Sequence, residues 1–311
     1  MLKLLIILGI LFSSINAITF EDASKSLKEK KYFQAYEELL ILAANNSSDA
    51  QYNLGLMNYK GLGVEKSYEL AAFWYEKAAK NSNIRALNNL AHMYFMGKGV
   101  KKDKTKAKEY YLLAAKKGYA LAQLNLGMIY ELSPKEESLK QAYFWYEKAA
   151  VQGVILAQNN LASMYYYGKG IPKDIKKAIY WFEQASKANN EVALFNLGVI
   201  YLVGDDTDKN INRAVSLLEK SADKGNVKAQ LKIADVYRLG NDVSQNYTKA
   251  FKYYEMAANQ GRTKAMFYLG FFYYNGHGIA KNRNEATIWL RKAKALGHKR
   301  SANFLKVHNL D

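Results

Sequence analysis

The chain has 311 residues, half of them hydrophobic, with two prolines and no cysteine. A chain this apolar is not intrinsically disordered. Without cysteine there is no disulfide framework, cysteine-zinc site, thiol nucleophile or lipid-modified cysteine. Its 45 Lys and Arg against 28 Asp and Glu give a net charge of +17, which draws in acidic proteins, anionic headgroups, wall polymers or nucleic acid, or simply keeps the surface solvated.

The first stretch, Met1–Ala17, reads MLKLLIILGILFSSINA. Lys3 is a short positive n-region, Leu4–Phe12 an apolar h-region, and Ser13–Ala17 a small, polar exit. This pattern predicts a secretory signal peptide cut after Ala17. The apolar run is shorter than the ~20 residues of a spanning helix; retention as an uncleaved anchor is the alternative. The expected destination is the periplasm or the exterior of a bacterial cell, with no membrane span after cleavage. Next, Phe20–Lys30 and Tyr32–Ala44 are expected as a helix pair in a capping unit over 18–49.

From there a 36-residue unit repeats. Copies begin at Ala50, Ala86, Ala122, Ala157, Ala193, Ala229 and Ala265, with a stub at Ala302. A fixed period of this length signals a solenoid. Helix A is expected to start at the leading Ala, with small or apolar residues at offsets 0, 4, 5, 7 and 8 from it, the spacing of one buried helical stripe. Offset 5 is always Gly or Ala (Gly55, Ala91, Gly127, Ala162, Gly198, Ala234, Gly270), which allows a neighbouring helix to come close. Four turns carry Gly-x-Gly: Gly61–Gly63, Gly97–Gly99, Gly168–Gly170 and Gly276–Gly278. Glycine tolerates positive φ and can end helix A there.

Helix B follows. Ser67, Asp103, Ser138, Asp174, Asn210, Asn246 and Asn282 stand four residues before its key alanines, and all are N-cap types. Those alanines are Ala71, Ala107, Ala142, Ala178, Ala214, Ala250 and Ala286, and each precedes a bulky pair such as Trp74–Tyr75 or Trp145–Tyr146.

The pattern A-x-x-x-L-G/A-x-x-Y, then G-x-G-V/I, then A-x-x-W/Y-Y/F-x-x-A-A resembles the Sel1-like repeat, a relative of the tetratricopeptide repeat. The resemblance implies an all-α, right-handed α-solenoid of stacked antiparallel helix pairs. It would comprise seven repeats over 50–301, with terminal caps at 18–49 and 302–311, and would scaffold assemblies or bind peptides on its concave face. A cysteine-rich branch of the family is labelled β-lactamase or penicillin-binding. Here its cysteine positions are Ala79/Ala86, Ala115/Ala122 and Ala150/Ala157.

In tetratricopeptide-like superhelices offset 3 tends to face the inner groove. Here it is Asn53, Asn89, Asn125, Asn160 and Asn196, then Lys232 and Tyr268. A ladder of asparagines, each both donor and acceptor, could hold an extended peptide backbone; each could equally bond a neighbouring loop. Offset 7 is always apolar, whereas offset 6 varies (Leu56, His92, Met128, Ser163, Val199, Asp235, Phe271), so offset 7 is expected in the core and offset 6 on the surface. Tyr52, Phe195, Phe267 and Phe271 are candidate aromatic anchors. The run Asp206-x-Asp208-x-Asn210-x-Asn212 lacks the Gly and Glu of a calcium loop, and no metal or cofactor is expected. Ser221 and Lys224 form the one Ser-x-x-Lys, without the companion motifs of a β-lactamase. The expected function is a non-enzymatic scaffold for a protein, peptide or cell-envelope partner. Nucleic acid is not expected after export. A β-lactam- or peptidoglycan-directed hydrolase and a basic cell-wall adaptor are the alternatives.

Overall fold

The computed structural model describes residues 18–204 and 207–310. The expected signal segment Met1–Ala17 and Asp206 of the calcium-like run lie outside the described residues. Among the described residues there are seventeen helices and no strand. Contacts divide the chain into two compact units, one ending at Val154 and the other beginning at Ile155.

The first unit opens with a pair, α1 (Phe20–Lys28) and α2 (Tyr32–Ala44). Three repeats follow: α3 (Ser48–Lys60) with α4 (Tyr68–Lys80), α5 (Ile84–Met96) with α6 (Lys104–Lys116), and α7 (Ala120–Glu131) with α8 (Glu136–Val151). The second unit holds four repeats and one further helix. Its pairs are α9 (Ile155–Tyr167) with α10 (Ile175–Lys187), α11 (Glu191–Val203) with α12 (Ile211–Asp223), α13 (Val227–Leu239) with α14 (Tyr247–Asn259), and α15 (Thr263–Asn275) with α16 (Arg283–Ala295); α17 (Lys299–Val307) closes it. Within each unit every helix packs on its sequence neighbours.

The core repeats as the pattern requires. The seven leading alanines and the seven helix B alanines are fully buried. So are Tyr75, Tyr146 and Tyr254, at one helix B position. Burying each such side chain stabilises the fold by about 1.5–3 kcal/mol. The small residue at offset 5 is what admits them. A Cβ on Gly55 or Gly127 would come within 2.6 Å of the Tyr75 or Tyr146 ring, and one on Gly198 or Gly270 within 2.7 Å of Leu218 or Leu290.

The Gly-x-Gly turns divide two tasks. Gly61, Gly97 and Gly276 sit in the left-handed region as helix C-caps, each N–H donating to the carbonyl four residues back. Gly204 and Gly240 do the same in turns that lack the second glycine. That second glycine makes a contact between repeats. A Cβ on Gly63, Gly99 or Gly278 would strike the backbone of Tyr32, Tyr68 or Tyr247, the first residue of the preceding helix B.

Three expectations need correction. Helix A starts two residues before the leading Ala, because Ser47, Asn83, Asn190 and Asn226 act as caps, each accepting from that alanine's N–H. Six of the expected helix B caps accept first-turn amides, but Ser138 lies inside α8, which starts at Glu136 without a side-chain cap. The stub keeps the 36-residue period: His298 caps α17 by accepting from Ser301 N–H, and Ser301, not Ala302, takes the fully buried leading position. The closing helix therefore begins at Lys299, three residues ahead of the expected 302.

One recurring device was not read from the sequence. Gln51, Gln123 and Gln230, at offset 1, are buried. Each donates to a carbonyl at the end of the preceding helix B (Ala43, Ala115, Ala222; 3.0–3.2 Å). Each also accepts from the C-cap side chain of its own helix B (Asn81, Gln152, Gln260; 2.7–3.0 Å). One amide thus ties three helices, adding a second donor to a carbonyl that already accepts a turn N–H at the helix end.

Candidate partner-binding surface

Helix A alternates a buried stripe with a half-exposed one. Offset 7 is buried in six repeats and half-buried at Ile129. Offset 3 is half-buried in all seven. At offset 6, His92 and Met128 are exposed and the other five are half-buried. Offsets 3 and 6 therefore lie at the rim of the core, where a side chain can contact both its neighbours and a ligand.

In the first unit these side chains are largely engaged by the protein itself. Asn53 Nδ2 donates to the Asp49 carbonyl on its own helix (2.8 Å). Asn89 accepts from Asn88 (3.3 Å) and hydrogen-bonds the Tyr75 hydroxyl, which burial pushes well above the usual tyrosine range. Asn125 donates across the repeat to Asn88 Oδ1 (3.1 Å). Tyr52 lies against Tyr75 (5.9 Å between centroids) and under the Arg85 guanidinium (4.6 Å). Burial and the Lys98 charge hold the His92 imidazole below the usual histidine range. A cleft of about 480 Å³ lies near Asp49, Asn83, Arg85 and Tyr119. Its Arg85–Asp49 ion pair (2.9 Å) is half-exposed and contributes under about 1 kcal/mol.

The second unit differs. Asn160 and Asn196 make no side-chain hydrogen bond with another described residue, and Lys232 makes no ion pair among them. Phe195 is half-buried. Asp235, at offset 6, centres a network. Its carboxylate accepts from Lys264 (2.6 Å), the Tyr254 hydroxyl (2.5 Å) and Arg238 (3.3 Å). Burial opposes its ionisation, but these donors outweigh burial and hold the carboxyl below its ordinary 3.8. Tyr268 stacks on Tyr254 (4.8 Å, 18°) with the Arg238 guanidinium 4.5 Å from its ring. These groups are locked in place by one another.

The aromatic end of this stripe forms a cleft of about 510 Å³ between α15 and α17. Phe267 is 6% exposed and packs into a core with Leu290 and Leu305, so it serves the cleft as wall rather than as projecting anchor. Phe271 and Phe304 are half-buried around it, 6.3 Å from Phe267 and 6.0 Å apart. Phe304 stands at offset 3 of the stub and was missed: with the stub set at Ala302, offset 3 falls on Leu305, which is fully buried. Keeping the 36-residue step from Ala265 to Ser301 is the signal that finds it.

Ser221 and Lys224 are not brought together as a catalytic pair. Ser221 is fully buried and its Oγ donates to the Glu191 carbonyl (2.7 Å). Its position is that of the buried Ala78, Ala114 and Ala149 in other repeats. Lys224 is the exposed C-cap of α12. Among the described residues no group of three or more His, Asp or Glu side chains is placed to hold a metal ion, and no helix is long and apolar enough to cross a membrane.

An all-α chain of repeated helix pairs, with a constant core under a varying stripe, is a repeat scaffold. The chain belongs to the Sel1 repeat family, whose repeat matches residues 48–83, 84–119, 120–154, 155–190, 192–226, 227–261 and 263–298. These spans start within a residue of the observed helix A starts. Among solved structures, the chain is similar to a Sel1 repeat protein from Oxalobacter formigenes, 26% identical, with a TM-score of 0.76 over 95% of this chain and 88% of that one. It is also similar to c5321, described as a protective antigen present in uropathogenic Escherichia coli strains, 29% identical with a TM-score of 0.65. That match covers 84% of this chain but only 64% of the E. coli protein, under two thirds of its length. None of the curated proteins compared matches the chain.

Proposed function

We propose that the protein is an exported, non-enzymatic adaptor that binds a protein or peptide segment along the half-exposed stripe of its A helices. The observation that carries this reading is the contrast within one helix. Offsets 0, 4 and 7 repeat a buried core, while offset 3 stays at the rim in every repeat and changes from asparagine to Lys232, Tyr268 and Phe304. Buried offset 1 also varies, between Gln51, Leu87 and Met266, but of the two only the rim position varies where a ligand can reach it. Asn160, Asn196 and Lys232 are free to bond a ligand, so they replace the first-unit asparagines as the leading polar contacts. Export to the periplasm rests on the signal-like composition of Met1–Ala17; a cell-envelope partner follows from that address and the basic charge.

The test is a triple substitution, Asn160→Ala, Asn196→Ala and Lys232→Ala, in a protein shown to be folded by circular dichroism. Loss of the partner captured by the wild-type chain from its native envelope supports the reading, and unchanged capture contradicts it. For the enzymatic alternative, purified protein is expected to leave the chromogenic β-lactam nitrocefin intact. Turnover abolished by Ser221→Ala would overturn the non-enzymatic assignment.

A further inference from the structure

The cleft between α15 and α17 has an apolar floor and a cationic rim. The floor is Phe267, Phe271 and Phe304, continued by Val307, which is 64% exposed. The rim is Lys299 and Arg300, both exposed, and among the described residues no acidic one lines the cleft. Some cations of the second unit are neutralised by a carboxylate of the preceding repeat, although Lys232 is not. Arg213 pairs with Glu183, Lys249 with Glu219, Lys252 with Asp223 and Lys264 with Asp235, at 2.6–3.0 Å. Lys299 and Arg300 form no ion pair among the described residues; Arg300 instead lies 5.0 Å over the Phe267 ring. The local charge is therefore unbalanced beside partly wet aromatic surface.

We propose that this cleft binds an acidic segment of a partner protein carrying a large apolar side chain. That side chain packs over the Phe271 and Phe304 rings, with Phe267 beneath, while flanking carboxylates meet Lys299 and Arg300. The inference rests on the adaptor reading above and gives it a ligand chemistry. A volume of about 510 Å³ is that of a small-ligand site and suits a short segment. Ring geometry favours a side chain over a nucleic-acid base. Phe304 meets Phe267 and Phe271 at 83° and 74°, which walls a pocket, whereas single-strand binding uses open stacking platforms. Charge complementarity sets which partner is accepted and how fast it docks, and the aromatic floor supplies the anchor.

The experiment uses the full chain and fluorescence anisotropy with three labelled peptides, EEFDLEE, EESDSEE and KKFKLKK, and with oligothymidylate. EEFDLEE is expected to bind saturably and to weaken as salt rises. Lys299→Glu with Arg300→Glu, both exposed, should weaken it at least tenfold and create binding of KKFKLKK, a gain that misfolding cannot produce. Phe304→Ala should also weaken EEFDLEE at least tenfold. Absence of saturable EEFDLEE binding up to millimolar concentration overturns the proposal. So does equal affinity for EESDSEE or oligothymidylate, or self-association of the chain that Phe304→Ala abolishes. If EEFDLEE binding survives the double charge reversal but is lost in the Asn160→Ala, Asn196→Ala, Lys232→Ala protein, the cleft assignment fails and the adaptor reading stands; if it survives both, both fail for this ligand.

Discussion

Gly99 and Gly118 both hold positive φ, 67° and 88°, yet their substitutions should differ. A Cβ on Gly118 meets nothing within 4 Å, while one on Gly99 collides with the Tyr68 backbone. Gly118→Ala should cost about 1–2 kcal/mol from left-handed strain. Gly99→Ala should cost about 1–3 kcal/mol more, because two repeats must separate. Urea unfolding of both variants checks this, and equal losses would remove the inter-repeat role of the second glycine. Asp235 makes a pH prediction. Its folded carboxyl titrates below the ordinary 3.8 because Lys264, Tyr254 and Arg238 donate to it against the cost of burial. A depressed carboxylate stabilises the fold fully above the unfolded value and loses that stabilisation as pH falls through the lower folded value. Between pH 7 and pH 2, Asp235→Asn should therefore lose less stability than the wild type, and identical acid profiles would contradict the network.

At the scale of elements, most of the scaffold was legible. The period placed the helix pairs, and the Ser, Asp and Asn caps placed the starts of six B helices, because the first-turn amides need an acceptor whatever lies around them. Ser138 misled because a serine also tolerates a helix interior, and nothing in the local sequence separates the two uses. Asp103→Ala should cost about 1 kcal/mol, whereas Ser138→Ala should stay within about 0.5 kcal/mol; thermal melts of the two variants measure the difference. The Gln51, Gln123 and Gln230 ties were invisible because their partners lie 8 residues upstream and 29 or 30 downstream, and because Leu87, Leu194 and Met266 fill the same buried position elsewhere. Gln123→Ala should cost about 0.5–1.5 kcal/mol by removing two hydrogen bonds, since the Ala115 carbonyl keeps the Gly118 N–H and the exposed Gln152 amide keeps the Lys148 carbonyl. A change below the error of chemical denaturation would show that the tie is dispensable. The candidate site was legible only in part: the surface character of offset 3 was implied by the tetratricopeptide-like resemblance, but which asparagines are free depended on neighbours from other repeats.

At the scale of the whole molecule, the scaffold and the proposed recognition surface draw on different residues of the same repeat. The alanines at the leading and helix B positions recur unchanged and fully buried, so they set the architecture. The rim positions vary, and in the second unit they combine free amides, Lys232 and the aromatic cleft beside Lys299 and Arg300. The net charge of +17 acts over the whole surface, which is why it cannot by itself locate the partner. The chain's lack of cysteine allows a direct measurement of where the partner sits. Single cysteines at Asn160, Asn196 or Lys232, and control cysteines at the exposed helix B positions Ser216 and Lys252, would each carry a photo-crosslinker in the native envelope. The adaptor account predicts one crosslinked species of the same mass from the three rim positions and none from the two controls. Crosslinks from the helix B controls, with the rim positions silent, would contradict it.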